Sequence, residues 1–216
     1  MKTDELLDFL SQDTVEVAPA PSFGFAVLAG VAASILALFL IPFVTAFGIR
    51  PQYFTALGTG VVAFKQLLPI MLALLLLPIA RTMIYPETDL NTSVFKRVWP
   101  YVLGVVSLFA IGFILQAPET RAMAMRGKSI PYCLTLVPVF ALPIYVSILR
   151  YVRKGAPTNA MRAGLWAGLF AGAVGCAVYA FTCVDDNPMF WTWAYSTGIA
   201  ISGVVGAVVG KFALKW

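Results

Sequence analysis

Cys133 and Cys183 are the residues best placed to do chemistry in this chain, each at the end of a different apolar run. Thiols serve as nucleophiles, redox centres and soft-metal ligands. A close pair can form a thiol switch, or chelate one metal ion through two thiolates. The same pair can be packing residues or a structural disulfide, which requires Cα atoms within about 7 Å. No CxxC is present, so a thioredoxin-like or quinone-coupled oxidoreductase finds little support. Asp185 and Asp186 follow Cys183, where they can add oxygen ligands, attract cations or simply solvate a loop. Cys176 falls on the stripe of Cys183, about 10 Å deeper, and reads as an inert apolar filler. Histidine is absent. That removes the commonest general base, the commonest zinc ligand and any Ser-His or Cys-His nucleophile.

The elements that must position these thiols are membrane helices. Of 216 residues, 60% are hydrophobic and 12% are charged, a composition that belongs in a bilayer. The chain opens acidic and amphipathic, unlike a secretory signal, which opens basic. Six stretches are long and apolar enough to cross: Phe23 to Ile49, Leu57 to Ile84, Val98 to Gln116, Tyr132 to Leu149, Ala163 to Cys183 and Trp191 to Val209. The reading is therefore an all-α membrane protein. Residues 23–216 form a six-helix transmembrane domain with short connections, and residues 1–22 form a separate N-terminal segment.

Lys/Arg bias orients the spans. With the N-terminus cytoplasmic, ten of the fifteen basic residues face the cytoplasm and four face outward. Lys65 lies within the second span. Both termini are thus expected inside, although Arg121, Arg126 and Lys128 face outward in the third connection. Cys133 starts the fourth span and Cys183 ends the fifth, so both thiols are expected at the outer boundary, near water. Lys65 lies about two turns from the outer end of its span. Its ammonium is expected to snorkel outward or make a structural contact rather than serve transport.

Small residues recur at four-residue spacing in the last two spans. Gly164, Gly168 and Gly172 form one stripe, and Gly198, Ser202, Gly206 and Gly210 form the other. Such stripes let helix backbones approach closely. The spacing does not say whether they meet each other or a second subunit, so a homo-oligomer stays open. Pro69, Pro78, Pro138 and Pro143 lie inside spans two and four, where each removes a helical hydrogen bond.

The N-terminal segment has its own pattern. Thr3 can cap a helix whose first turn carries Asp4 and Glu5. Leu6, Phe9 and Leu10 form an apolar stripe flanked by Leu7. A helix this short is marginal alone but can fold in a partner's groove. Asp4, Glu5, Leu6, Leu7, Phe9 and Leu10 are the candidate partner-binding residues. The alternative, an interfacial helix, is disfavoured by its acidity.

These residues resemble the NrsF family, six-span bacterial membrane proteins that act as anti-sigma factors. The likeness begins with Met-Lys-Thr-Asp-Glu-Leu at the start and includes the second span with Lys65. It is strongest from Gly164 through Cys183 and on through Asn187-Pro188-Met189-Phe190-Trp191-Thr192-Trp193. The tail from Gly206 to Trp216 fits as well. The resemblance implies that the N-terminal segment holds an extracytoplasmic-function sigma factor away from RNA polymerase. It also implies that Cys133 and Cys183 take part in signal perception, and that the protein sits in the bacterial inner membrane. Two departures stand out. Family members often carry His-Cys-Pro-Glu where this chain has Thr182-Cys183-Val184-Asp185, and Trp-Tyr where it has Trp193-Ala194-Tyr195.

The resulting expectation is an anti-sigma factor, not an enzyme, which needs no cofactor and makes no direct contact with nucleic acid. Oxidant or thiophilic metal at Cys133 and Cys183 would release its partner. The rivals are a small transporter or channel, a thiol-disulfide membrane oxidoreductase, and a structural membrane subunit.

Overall fold

The computed structural model describes residues 22–44, 48–83, 92–155 and 157–214. The N-terminal segment, with Asp4, Glu5, Leu6, Leu7, Phe9 and Leu10, lies outside the described residues. What is described is helical: α1 (Phe23–Val44), α2 (Tyr53–Leu57), α3 (Val61–Thr82), α4 (Thr92–Leu115), α5 (Pro118–Arg126), α6 (Ile130–Val152), α7 (Ala160–Tyr179) and α8 (Pro188–Ala213). Among them are six helices long and apolar enough to cross a membrane, as the composition requires. Helices suit that environment because they satisfy their own backbone. The hydroxyls of Thr192, Ser196, Thr197 and Ser202 follow the same rule, each donating to the carbonyl one turn back on α8.

Sequence sets the helix ends. The Asn159 side chain caps α7 by accepting from Arg162 N, and Asn187 caps α8 by accepting from Met189 N. Pro188 then occupies the first turn of α8, where a missing N–H costs nothing. Between α1 and α3 the chain does not stay helical to Ile49 and resume at Leu57. It turns at Pro51 and Gln52, makes the short α2, and re-enters through Gly60 at φ 74°. The third connection is likewise not a plain loop. It contains α5, which opens on Pro118 and stops at Gly127, φ 50°.

The centre of the bundle is α7, which packs most extensively on α8, then on α6 and α3, and touches α1. The small-residue stripes explain the first contact. A Cβ on Gly164 would strike Gly206 O, and one on Gly168 would strike Ser202 O. One on Gly210 would come within 2.6 Å of Gly164 Cα. The two stripes therefore meet each other within one chain. Gly198 departs from this pairing, because its face meets Val137 on α6. On the other side of α7, Gly175 lets α6 approach until an added Cβ would be 2.6 Å from Ala141 N. Gly30 does the same for α1 against Ile144 of α6, where Ser34 also donates to Phe140 O at 2.8 Å. By contrast, no residue of α4 from Lys96 to Leu115 is buried. It leans on α8 and α3 beside a cavity of about 410 Å³ that includes Leu72, Tyr101, Val105 and Trp166 in its lining.

Candidate functional site

One end of the bundle gathers every residue singled out for chemistry except those of the N-terminal segment. Cys133 lies in the first turn of α6, and Cys176 lies near the end of α7. Cys183 lies beyond α7 rather than on it. The helix ends at Tyr179, and residues 180–182 turn before an irregular segment leads to α8. Thr182 steers that exit by donating its hydroxyl to Tyr179 O at 2.8 Å. Cys176 and Cys183 therefore do not share a helical stripe, yet both remain in one cluster. The three thiols are neighbours of one another and of Tyr179 and Tyr195. The rings of Tyr179 and Tyr195 meet edge to face, with centroids 6.0 Å apart.

None of the thiols meets water. Cys133 and Cys176 are 0% exposed and Cys183 is 1% exposed, so the expected wet boundary is a packed interior. All three are free thiols. Among the described residues, the buried Trp191 indole N–H has no hydrogen-bond partner, and the buried hydroxyls of Tyr179 and Tyr195 have none but the neighbouring thiols. Unpaired donors in so apolar a setting are costly. The two tyrosines give the thiol cluster a polar lining.

The segment carrying Cys183 is fixed from outside the cluster. Lys65 Nζ donates to Cys183 O and Asp185 O, both at 2.8 Å, and to Asp186 Oδ1 at 3.2 Å. An ammonium has three N–H donors, and here all three are used. The side chain is 1% exposed, so Lys65 makes a structural contact and does not snorkel. The signal for this was its register. Val62, Lys65, Pro69, Leu72, Leu76 and Ile79 form the buried stripe of α3, which places Lys65 among core positions.

Asp186 also accepts from Arg50 Nη1 at 2.8 and 2.7 Å. The Arg50 backbone N–H donates to Phe181 O at 3.0 Å, which ties the turn after α1 to the exit of α7. Asp185 does different work. Its Oδ2 accepts from the backbone N–H of Lys128 at 3.0 Å and of Ser129 at 2.8 Å, just ahead of α6. Neither carboxylate merely solvates a loop. Both Asp186 oxygens and Asp185 Oδ2 are committed to cations and N–H groups. Among the described residues, no group of three or more His, Cys, Asp or Glu is placed to hold a metal ion.

Neighbouring contacts stiffen the same end. Gln66 donates to Ala177 O at 2.8 Å and accepts from the Tyr53 hydroxyl at 3.0 Å. Burial raises the Tyr53 pKa above the ordinary tyrosine value, so that hydroxyl stays a donor. The Trp193 indole donates to Met125 O at 3.0 Å and anchors α5 to α8. Sequence reasoning missed Arg50, Gln66, Tyr179 and Tyr195.

The chain can now be set beside known proteins. The family model described as "Negative regulator of sigma F" (NrsF) matches residues 10–216. The chain is similar to the probable anti-sigma-F factor NrsF of Azospira oryzae, 32% identical over 115 residues. That match spans 53% of this chain and 54% of that protein, about half of each. It is also similar to the anti-sigma-F factor NrsF of Caulobacter vibrioides, 26% identical over 222 residues that cover all of both chains. No solved structure matches the chain. The resemblance carried by the Gly164–Trp193 stretch is therefore borne out, and the chain belongs to the NrsF family of negative regulators of sigma F.

Proposed function

We propose that this protein is a membrane-embedded anti-sigma factor that holds an extracytoplasmic-function sigma factor through its N-terminal segment. It releases that partner when oxidant or a thiophilic metal reaches Cys133 and Cys183. The observation that carries this reading is the family match over residues 10–216, which includes the thiol-bearing elements. Leu6, Leu7, Phe9 and Leu10 would fill an apolar groove on the sigma factor, with Asp4 and Glu5 facing basic surface. The thiols face the compartment opposite to that segment, at the outer side of the inner membrane, and both termini are cytoplasmic.

Chemistry at the thiols must favour a second arrangement of the bundle, because a stimulus shifts an equilibrium only by differential interaction. Cys133 lies in α6, and Cys183 follows α7. Those helices are in backbone contact at Ala141 and Gly175 and continue to the other end of the bundle. An S–S bond, or a metal bridging the two thiolates, would change how α6 meets the exit of α7. Closely packed helices pass such a change on as a discrete shift.

Two experiments test the reading. The first is co-purification with sigma factors encoded in the same genome, comparing the intact chain with one lacking residues 1–20. Recovery is expected to vanish with the deletion, and equal recovery would remove the segment from partner binding. The second is target-gene induction by oxidant or metal after Cys133→Ser and Cys183→Ser. Each change is expected to abolish the response, and an unchanged response would remove the thiols from sensing.

A further inference from the structure

The thiol that the proposed function needs, Cys183, is 1% exposed. Its Sγ lies 3.8 Å from Asp185 O and beside the hydroxyls of Tyr179 and Tyr195. The backbone that carries it is held from several sides. The carbonyls of Cys183 and Asp185 both point at Lys65 Nζ, and the Asp186 carboxylate closes the third position. Arg50 holds the far side of that carboxylate. Asp185 pins the segment to the start of α6 through Lys128 N and Ser129 N. The segment between α7 and α8 is thus wrapped around one buried ammonium delivered by α3.

We infer that Lys65 is a positioning residue for Cys183: its ammonium clasps the 183–186 segment and holds the thiol out of reach of reagents until that clasp opens. The inference rests on the reading of Cys183 as a sensing thiol, but its physical content is separable. The charge is essential to the clasp. A buried ammonium without its acceptors, or those acceptors without the ammonium, leaves charged or polar groups unpaired in the interior. The closed arrangement is therefore favoured strongly over one with a contact or two missing. Removing the ammonium removes the reason for the two carbonyls to converge, and the segment then opens more often. Local opening of this kind sets how fast a covered thiol reacts.

The test uses full-length protein in detergent, with Cys183 as the only cysteine (Cys133→Ala and Cys176→Ala), and its rate of alkylation by N-ethylmaleimide. Lys65→Met is expected to raise that rate about tenfold or more, the scale of one lost charge-assisted hydrogen bond. Lys65→Arg keeps the charge and several donors, and is expected to stay within about threefold of the parent. A companion chain with Cys176 as its only cysteine reports on the packing of α7. Its slow alkylation is expected to be unmoved by Lys65→Met. The proposal is overturned if Lys65→Met leaves the Cys183 rate within about twofold of the parent. It is equally overturned if the arginine variant reacts as fast as the methionine one, or if Cys176 accelerates in step with Cys183. Failure of the sensing reading looks different. There, Cys183→Ser leaves induction unchanged while the alkylation rates still follow residue 65.

Discussion

Asp185 and Asp186 are adjacent in sequence, yet they stabilise the fold by different means. Asp185 accepts two backbone N–H groups, a task an amide oxygen can partly perform. Asp186 supplies negative charge between Arg50 and the buried Lys65. Asp185→Asn is thus expected to cost about 1 kcal/mol or less, the worth of an ordinary hydrogen bond. Asp186→Asn is expected to cost about 2–3 kcal/mol, because it takes a counter-ion from an ammonium with no water to turn to. Thermal unfolding of the two variants in one detergent checks the order, and equal losses would contradict these separate roles. The sequence marked Lys65 as a charge in a span and offered a structural contact as one reading. It could not name the partners, because they arrive from 118 and more residues downstream. Nor could it show the thiols as covered. Cys183 sits where an apolar run ends, a position that looks wet, yet it is 1% exposed.

At the scale of elements, the six spans were legible because a bilayer demands length and apolarity, and both are local properties. The glycine stripes were legible for the same reason, since four-residue spacing places them on one face. Which face each stripe meets is a tertiary fact. Gly164 and Gly168 meet the backbone of α8, whereas Gly198, in the same repeat as Gly206, meets Val137. The short α2 and α5 were not legible, because neither is long enough to register as a span. α7 and α4 differ in how much added bulk they can take. Gly168→Leu inserts a side chain where even a Cβ strikes the neighbouring backbone. It is expected to destabilise the bundle by about 3 kcal/mol or more, at the upper end of overpacking costs. Gly104→Leu adds the same atoms to α4 at a position where a Cβ meets nothing within 4 Å, and is expected to leave thermal stability nearly unchanged. If both variants unfold at the parent temperature, the α7–α8 contact does not govern stability.

For the whole molecule, the decisive property is which end of the bundle faces which compartment. Arg81, Lys96, Arg97, Arg150, Arg153, Lys154, Arg162 and Lys211 are all exposed at the end opposite the thiols. At the thiol end, Arg50 and Lys65 are tied to Asp186, which leaves fewer free cations there. Under the proposed orientation, the end richer in exposed cations faces the cytoplasm and the thiols face outward. The burial of the native cysteines makes this directly measurable, because all three are shielded and contribute little background. Exposed sites at the two ends serve as reporters: Arg126→Cys on α5 and Lys154→Cys after α6. In intact cells, a membrane-impermeant maleimide is expected to label Arg126→Cys and to reach Lys154→Cys only after permeabilisation. The reverse pattern would place the thiols and the sigma factor in the same compartment. The N-terminal segment, at the other end of the bundle, would then face outward and out of reach of a cytoplasmic sigma factor, and its proposed docking role would fall.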